Sequence, residues 1–428
     1  MLYFKNASKQ KRILYAYIVG CCLFVLLLWS YVPHNYQTKS ASLPEYIKPG
    51  VKTKTDHISS RLLLDISKLG KITDIKYREM DSAQGSEIGI AGECGVAFFN
   101  TMGQIKKELY FNLPEEECGT TSTIILDVDG NGLYEFLRYN KFRFANISLL
   151  DHNGKLIWER NYRPKKVAFG DLNADGKIEI VVSDPLVRNQ DDTEFNNYFN
   201  SRGGFEILNL NGKPLYSKPQ SKIIKGISVI DSINNGGSQI IAGIGEDFVF
   251  WTLKDGILSK QKSKFNEMFT EFLIVKFPFR NSSQHLLTYH NNDSLSPYPG
   301  EYILYDLFSF RKITTFTTNY LDNIKATSIQ FNTNKASYFA IFGSLLYQAG
   351  QWFGLAAVHS ELYIFNGHGD LVYQQVYPGQ GGPIITIPSI INSDSEALLV
   401  SVDSKVWIYE LSVTVPPENS IRPGKPQK

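Results

Sequence analysis

The sequence lacks the short motifs that mark several common catalytic sites. It contains no phosphate-binding P-loop, no G-x-S-x-G nucleophile elbow and no H-E-x-x-H zinc pair. It also has no C-x-x-C pair and no histidine cluster, so a zinc site is not expected. His359 with Glu361 is the nearest thing to an acid–base pair, and surface pairs of this kind are more often structural than catalytic. No catalytic residue is predicted.

A strong excess of charge of one sign is also missing. The formal net charge of the 428 residues is +2, which provides no broad basic surface for nucleic acid phosphates. Methionine is scarce, with 4 residues, whereas 27 Phe, 24 Tyr and 33 Gly favour aromatic strands and tight turns over long helices. A hydrophobic fraction of 43% excludes disorder as the main state. We therefore expect an all-β protein that does not bind nucleic acid.

The N-terminal residues have the pattern of a membrane anchor. The stub 1–12 carries four cations and no acid, and residues 13–32, ILYAYIVGCCLFVLLLWSYV, carry no charge. Twenty residues at about 1.5 Å each span the roughly 30 Å apolar core of a bilayer. Because a positive flank stays in the cytoplasm, the sequence predicts a single transmembrane signal-anchor helix, with the rest of the chain periplasmic or extracellular.

Two other interpretations of this apolar run remain open. A cleaved signal peptide has an apolar core of about 7–15 residues followed by a small-residue cleavage site. The residues IVGC that end at Cys21 resemble the lipobox of bacterial lipoproteins. In all three interpretations the rest of the chain faces a non-cytosolic space. Residues 33–57 are polar and contain prolines, which is typical of a tether, and residues 413–428 form a Pro-rich tail.

Two cysteines lie beyond the apolar run. Cys94 and Cys118 could pair in an oxidising compartment. Two buried free thiols are the alternative, because spacing along the chain does not establish the Cβ geometry that a disulfide requires. The sequence leaves both possibilities open.

Seven copies of one pattern occupy residues 58–412. Each copy has two strands around a polar loop, followed by a hairpin, and the clearest copies begin at Ser122 and Lys166. Three of the hairpin turns contain dipeptides that suit two-residue turns: Asn153-Gly154, Asn211-Gly212 and Asp255-Gly256. Four antiparallel strands that recur at roughly 45–60 residues fit a propeller blade. The sequence therefore predicts an all-β, seven-bladed β-propeller.

The seventh copy lacks an outer strand. After residues 405–411 the chain enters its Pro-rich tail, so a closed ring requires a strand from elsewhere. Residues 60–66, SRLLLDI, are the candidate for this strand, and a short amphipathic helix is the competing interpretation of the same residues.

Two of the loops between the first and second strands of a blade carry acidic residues at regular spacing. They read DVDGNGLYE from Asp127 and DLNADGKIE from Asp171. Oxygen ligands at positions 1, 3, 5 and 9, with a backbone carbonyl at position 7, suit a calcium ion that takes six to eight oxygens. The predicted ligands, with Leu133 and Lys177 acting through their carbonyls, are Asp127, Asp129, Asn131, Leu133 and Glu135 in the first loop and Asp171, Asn173, Asp175, Lys177 and Glu179 in the second. Asp/Asn/Gly turns without a metal are the alternative.

These two loops resemble the calcium loops of FG-GAP or VCBS repeats, which occur in integrin α-subunit propellers and many bacterial surface proteins. In the other five copies only the pattern of strands and turns resembles these repeats, and the full set of oxygen ligands is missing. It implies a seven-bladed propeller whose usual role is adhesion, or protein or carbohydrate binding, rather than catalysis. The calcium ions that it implies are structural.

Expanded loops on the opposite side of the ring supply candidate partner-binding residues. Loops between the second and third strands of blades 3, 5 and 6, at about 185–204, 291–300 and 345–360, combine aromatic with small polar residues. The aromatic candidates are Tyr198, Phe199, Tyr298, Trp352 and Phe353. Alternatively, these rings fold back over the blade ends.

Two classes of function follow. The first is a membrane-tethered propeller that binds a protein or glycan partner outside the cytosol. The second is a carbohydrate-active enzyme, a polysaccharide lyase or hydrolase, built on the same ring.

Overall fold

The computed structural model describes residues 50–54, 58–78, 86–111, 118–140, 146–164, 166–183, 186–187, 204–219, 224–231, 237–244, 246–254, 257–265, 269, 271–276, 284–289, 300–318, 321–331, 338–348, 355–389 and 395–411. The chain divides into two compact units, Met1–Lys48 and Pro49–Lys428, and the fold belongs to the second. Within the described residues, no helix is long and apolar enough to cross a membrane. The predicted transmembrane helix 13–32 and the tail 413–428 lie outside the described residues.

The described residues of the second unit form seven antiparallel sheets of four or five strands and one two-stranded ribbon, and most strands of a sheet follow one another along the chain. Blade 1 comprises β3 (Ile72–Arg78), β4 (Glu87–Gly92), β5 (Gly95–Asn100) and β6 (Ile105–Tyr110); blade 2 comprises β7 (Thr121–Leu126), β8 (Glu135–Asn140), β9 (Ile147–Leu150) and β10 (Leu156–Arg160). Blade 3 comprises β12 (Lys166–Gly170), β13 (Glu179–Ser183), β15 (Gly204–Leu208) and β16 (Pro214–Pro219). Beside it, β11 (Tyr162–Arg163) and β14 (Leu186–Val187) form a short ribbon.

The second half of the ring has the same order. Blade 4 comprises β17 (Ile224–Asp231), β18 (Ser238–Ile244), β19 (Asp247–Lys254) and β20 (Ile257–Lys264); blade 5 comprises β21 (Glu271–Lys276), β22 (Gln284–Tyr289), β23 (Gly300–Asp306) and β24 (Lys312–Thr318). Blade 6 comprises β25 (Asp322–Ile329), β26 (Tyr338–Gln348), β27 (Leu355–Phe365) and β28 (Leu371–Pro378); blade 7 begins with β29 (Gly381–Pro388), β30 (Glu396–Val402) and β31 (Lys405–Leu411). The predicted seven-bladed, all-β fold is confirmed.

Two N-terminal strands complete the last two blades. β2 (Ile58–Asp65) pairs antiparallel with β31 and supplies the missing outer strand of blade 7, so the strand interpretation of residues 60–66 is confirmed over the helical one. β1 (Gly50–Lys54) pairs with β28 as a fifth strand of blade 6. The sequence placed these five residues in the polar tether. Their backbone groups nevertheless hydrogen bond to the open edge of β28, a pairing that depends little on side-chain hydrophobicity.

Seven hydrophobic clusters in the described residues lie between neighbouring blades, one for each pair. Between blades 2 and 3, for example, Leu137 and Leu149 pack with Ile180 and Leu208. The cluster between blades 7 and 1 joins Leu399 and Ile408 to Ile75 and Ile90, and so closes the ring. Each sheet buries both of its faces only against its two neighbours, which is why the seven sheets form one folded unit.

Strand order fixes which loops share a side of the ring. Because each blade is a consecutive antiparallel sheet, the loops after its first and third strands lie on one side, which we call the calcium-loop side. The loops after the second strand and the crossovers to the next blade lie on the other, which we call the crossover side. β26 and β27 are eleven residues each, so most of the predicted loop 345–360 is strand.

The third and fourth strands of several blades are joined by one recurring turn. In blade 2 the backbone bond from Asp151 N to Lys155 O closes the turn, and Asp151 Oδ1 accepts from the N–H groups of Asn153 and Lys155. Asn209 makes the same bonds in blade 3. In blades 2 and 3 the predicted two-residue turns are therefore wrong, because three residues separate the closing pair. In blade 4 Lys254 pairs with Ile257, so two residues separate the strands as predicted, although Asp255 and Gly256 themselves lie outside the described residues. The Asp or Asn side chain two residues before the Asn-Gly dipeptide decides the outcome by holding the longer turn.

Candidate functional site

The two predicted metal loops are the connections from β7 to β8 and from β12 to β13. Residue for residue, Asp127 corresponds to Asp171 and Glu135 to Glu179. In both loops the final glutamate opens the second strand, is almost fully buried, and accepts a hydrogen bond from the backbone N–H of the residue after the first aspartate. These bonds run from Val128 N at 3.0 Å and from Leu172 N at 2.8 Å. The buried glutamate thus fixes the width of each loop.

In the blade 2 loop, the acidic side chains converge. One carboxylate oxygen from each of Asp127, Asp129 and Glu135 lies within 4.8 Å of the other two. Asp127 Oδ2 accepts from Gly132 N at 3.0 Å, while Asp127 Oδ1 is buried and has no hydrogen-bond partner in the described residues. An unpartnered buried carboxylate oxygen is costly unless a cation or donor reaches it. The donor set of carboxylate, amide and carbonyl oxygens suits a hard divalent ion.

The blade 3 loop has the same length but a different arrangement of bonds. Asp171 uses both carboxylate oxygens inside the loop, since Oδ1 accepts from Asp175 N at 3.1 Å and Oδ2 accepts from Gly176 N at 2.9 Å. Asp175 Oδ1 accepts from Lys177 N at 2.8 Å. Although this loop is described throughout, its three carboxylates do not form a group as close as that of blade 2. A cation would have to displace loop hydrogen bonds here.

Both loops are anchored to the next blade around the ring. Ile178 N, just before β13, donates to Val128 O in the blade 2 loop at 2.9 Å, and Ser238 N of blade 4 donates to Asp171 O at 2.7 Å. The side chains of Val128 and Leu172 are buried in the clusters between these blades. The loops therefore belong to the interfaces between blades, and their order affects the ring.

The pKa values of the two loop glutamates, Glu135 and Glu179, are raised by burial and by the neighbouring aspartates. Burial raises the pKa of Glu135, and the negative charges of Asp129 and Asp127 raise it further, against the lowering effect of Val128 N–H. Burial likewise raises the pKa of Glu179 to about 6, with added repulsion from Asp175 and Asp171. Both loops thus concentrate negative potential that a cation would relieve.

The predicted partner-binding residues cannot be placed. Tyr198, Phe199, Tyr298, Trp352 and Phe353 all lie outside the described residues. The strands that flank their loops are described, and strand order puts all three loops on the crossover side. Binding by these residues stays a prediction.

The His359–Glu361 pair is in the interior of blade 6. The side chains of His359 and Glu361 are 2% and 0% exposed, and His359 Nε2 lies 3.5 Å from Glu361 Oε1. Glu361 Oε2 also accepts hydrogen bonds from the Tyr363 hydroxyl and from Gln374 Nε2. A pair so enclosed does not face solvent, which favours a structural role over acid–base chemistry on a polysaccharide.

A shallow cleft beside the blade 2 loop was not predicted. It has a volume of about 120 Å³ and is lined by residues of blades 1 and 2, among them Phe98, Lys107 and Tyr134. At its edge the Arg78 guanidinium lies 4.4 Å from the centre of the Tyr134 ring and donates a hydrogen bond to Gly132 O. No local sequence signal marks Arg78, because its partner in the metal loop is 54 positions away.

No protein-family model matches the chain, and no curated protein matches it. Among solved structures, BBS1N in complex with ARL6DN is 12% identical, with 83% of this chain and 98% of that chain covered and a TM-score of 0.48. The Pan2 WD40 domain of Neurospora crassa is 10% identical, with coverage of 88% and 99% and a TM-score of 0.44. The Dos1 propeller is 13% identical, with coverage of 84% and 95% and a TM-score of 0.42. At such identities the likeness concerns the fold alone.

Proposed function

We propose that this protein is a membrane-tethered binding or scaffold propeller that recognises a protein or glycan partner outside the cytosol. The observation that carries the proposal is the blade 2 loop, in which three carboxylates converge beside an unpartnered Asp127 oxygen on a rigid ring. Such a loop is the feature by which the chain resembles FG-GAP or VCBS repeats. In that family the propeller presents loops for adhesion or binding.

Calcium has a structural role in this proposal. In blade 2 the ion would be held by Asp127, Asp129, Asn131, Glu135 and the Leu133 carbonyl, and in blade 3 by Asp171, Asn173, Asp175, Glu179 and the Lys177 carbonyl. Because these loops bond to the next blade, an ion bound only by the folded chain stabilises the interfaces between blades in proportion to its occupancy.

The membrane tether rests on the sequence. The uncharged run 13–32 after a basic stub supports a signal anchor with a cytoplasmic N-terminus. The test is cell fractionation: the chain should stay in the membrane pellet after an alkaline wash, and protease added from the non-cytosolic side should digest the propeller. Release into the wash, or protection from that protease, would overturn the topology.

Recognition of a partner is tested by crosslinking and pull-down of the full chain from its native membrane. Trp352→Ala with Phe353→Ala should lose the captured partner, because aromatic rings supply contact area at low entropic cost. Ile257→Ala is the matched control, since Ile257 is 70% exposed and adjoins a turn on the calcium-loop side. Equal capture by both variants would contradict binding through the crossover side.

A further inference from the structure

The two cysteines of the propeller meet on the crossover side of the ring. Cys94 lies in the two-residue connection between β4 and β5 of blade 1, and Cys118 lies three residues before β7, the first strand of blade 2. Both are free thiols of intermediate burial. They are 24 positions apart in sequence, yet β4 of blade 1 packs beside β7 of blade 2, and the side chains of Cys94 and Cys118 lie close enough to interact. The fold itself therefore brings the two sulfur atoms together.

The backbone at Cys94 is held in place on both sides. Cys94 N donates to Leu69 O at 3.0 Å, and Phe111 N donates to Cys94 O at 2.9 Å. Next to it, Glu93 N donates to Lys71 O at 3.1 Å, and Lys71 N donates to Glu93 Oε2 at 3.2 Å. Leu69 and Lys71 belong to the crossover by which the chain passes from β2 in blade 7 to β3 in blade 1. Cys94 is thus fixed at the seam where the ring closes.

We propose that Cys94 and Cys118 form an intramolecular disulfide bond, which fastens the closing seam of the ring to the crossover that enters blade 2. The oxidant is a small disulfide such as oxidised glutathione. The thiolate of one cysteine attacks it, which forms a mixed disulfide and releases one glutathione thiolate. The second cysteine loses its proton and attacks the protein-bound sulfur, which forms the Cys94–Cys118 bond and releases the second glutathione. The protein loses two electrons and two protons, and glutathione disulfide accepts the electrons.

The surroundings of Cys94 affect its reactivity. Burial first, and then the interaction with Cys118, raises the pKa of Cys94 to about 12, whereas the nearby Arg138 side chain lowers it. Either cysteine can make the first attack, and the other then resolves the mixed disulfide. A bond that closes a loop of about 25 residues restricts the unfolded chain more than the folded ring, which stabilises the fold.

The test uses the full chain in detergent with Cys21→Ala and Cys22→Ala, so that only the two propeller cysteines react. The protein is equilibrated with oxidised glutathione, denatured, and treated with a maleimide reagent to count thiols. We expect zero thiols in the oxidised protein and two after reduction, a Cys94–Cys118 crosslinked peptide in the protease digest, and a melting temperature several degrees lower after reduction.

Single-cysteine variants provide the controls. Cys94→Ala and Cys118→Ala should each stop at a stable glutathione adduct on the remaining cysteine. Neither variant should show the shift in melting temperature on reduction, so a general effect of the reductant is distinguished from the disulfide. Two thiols that persist in the folded, oxidised protein, or a disulfide found only between molecules on a non-reducing gel, would overturn the proposal.

Discussion

The loops of blades 2 and 3 have the same length and the same buried closing glutamate, but they use their first aspartate differently. Both carboxylate oxygens of Asp171 accept hydrogen bonds from backbone N–H groups of its own loop, whereas one buried oxygen of Asp127 has no hydrogen-bond partner in the described residues. In both loops the N–H of the fifth residue donates to the side chain of the third, from Asn131 N to Asp129 Oδ1 at 3.2 Å and from Asp175 N to Asn173 Oδ1 at 3.0 Å. Only Asp175 N also donates to the first aspartate of its loop. The two loops therefore differ by one internal hydrogen bond. It occupies Asp171 Oδ1 in blade 3, while the corresponding oxygen of Asp127 in blade 2 is left without a hydrogen bond.

What the two loops share is their attachment to the ring. The residue after each first aspartate is buried between blades, at 4% exposed for Val128 and 1% for Leu172. The spacing of acidic residues sets the shape of the loop, while the distribution of backbone donors decides whether a carboxylate oxygen is left for a metal. We therefore expect the blade 2 loop to bind calcium more tightly than the blade 3 loop.

The largest expected effect tests the shared anchor. Leu172→Ala should lower the free energy of unfolding by about 2–5 kcal/mol, because it leaves a cavity between blades 3 and 4. Val128→Ala should lower it by roughly 2 kcal/mol, as fewer methyl groups leave the interface. Chemical denaturation measures both, with Ile257→Ala as an exposed control that should change it by less than about 0.5 kcal/mol. Losses no larger than that of the control would mean that the loops are not anchored as described.

The next prediction addresses the difference between the loops. Asp127→Asn should weaken the tighter calcium site by at least about tenfold, because it removes a carboxylate charge from the three-carboxylate group. Asp171→Asn should leave the affinity of that tighter site unchanged. Calorimetric titration of the two variants measures this. If Asp171→Asn removed the tighter site instead, the assignment of the two loops would be reversed.

A third prediction concerns the residue with positive φ in each loop, which is glycine in blade 2 and alanine in blade 3. The fourth residue has a left-handed conformation in both, with φ of 73° at Gly130 and 61° at Ala174. Gly130→Ala should destabilise the protein by about 1 kcal/mol, because a Cβ is unfavourable in this conformation. Ala174→Gly should be neutral or stabilising by up to about 1 kcal/mol, since strain is relieved while the unfolded chain gains freedom. Thermal unfolding of both variants tests the pair, and a stabilised Gly130→Ala or a destabilised Ala174→Gly would contradict the reason given.

The smallest expected effect extends the comparison to blade 7. Glu396 opens its second strand as Glu135 does, but its Oε2 accepts from Gln330 N of blade 6 at 2.7 Å. Burial raises the pKa of Glu396 above 4.5. The protonated carboxyl is therefore favoured by folding, and its contribution to stability is present below pH 4.5 and lost as the pH rises through the raised pKa.

Replacement of that carboxyl should flatten the corresponding part of the pH profile. Glu396→Gln should gain stability relative to the unmodified chain as the pH rises from 4.5 to 7, because the amide cannot ionise. Melting temperatures of both proteins across this range provide the measurement. Parallel profiles would show that Glu396 does not titrate differently in the folded and unfolded chain.

Much of the fold could be predicted because the same pattern of apolar and turn residues recurs along the sequence. Alternating apolar strands and Gly-containing turns give four strands per copy. Because the seventh copy lacks an outer strand, residues 60–66 could be assigned to that position. The strand at Gly50–Lys54 could not be predicted, because it pairs through backbone groups and has no apolar pattern. The three-residue turns were missed because Asp151 and Asn209 lie outside the Asn-Gly dipeptides.

The sequence predicted which residues of the candidate site could act as ligands, but not how their oxygens are hydrogen bonded. The spacing from Asp127 to Glu135 and from Asp171 to Glu179 gave two equivalent sets. Which aspartate oxygen is left without a hydrogen bond depends on loop dihedral angles that the spacing does not determine. The contact of Arg78 with Gly132 O depends on how blades 1 and 2 pack, so it has no trace in the loop sequence.

Calcium titration of the full chain in detergent, followed by calorimetry and by thermal unfolding, tests the central claim most directly. We expect two binding events of unequal affinity, loss of the tighter one in Asp127→Asn, and a melting temperature that falls when EDTA removes the ion. No heat of binding, together with a melting curve that EDTA leaves unchanged, would contradict it.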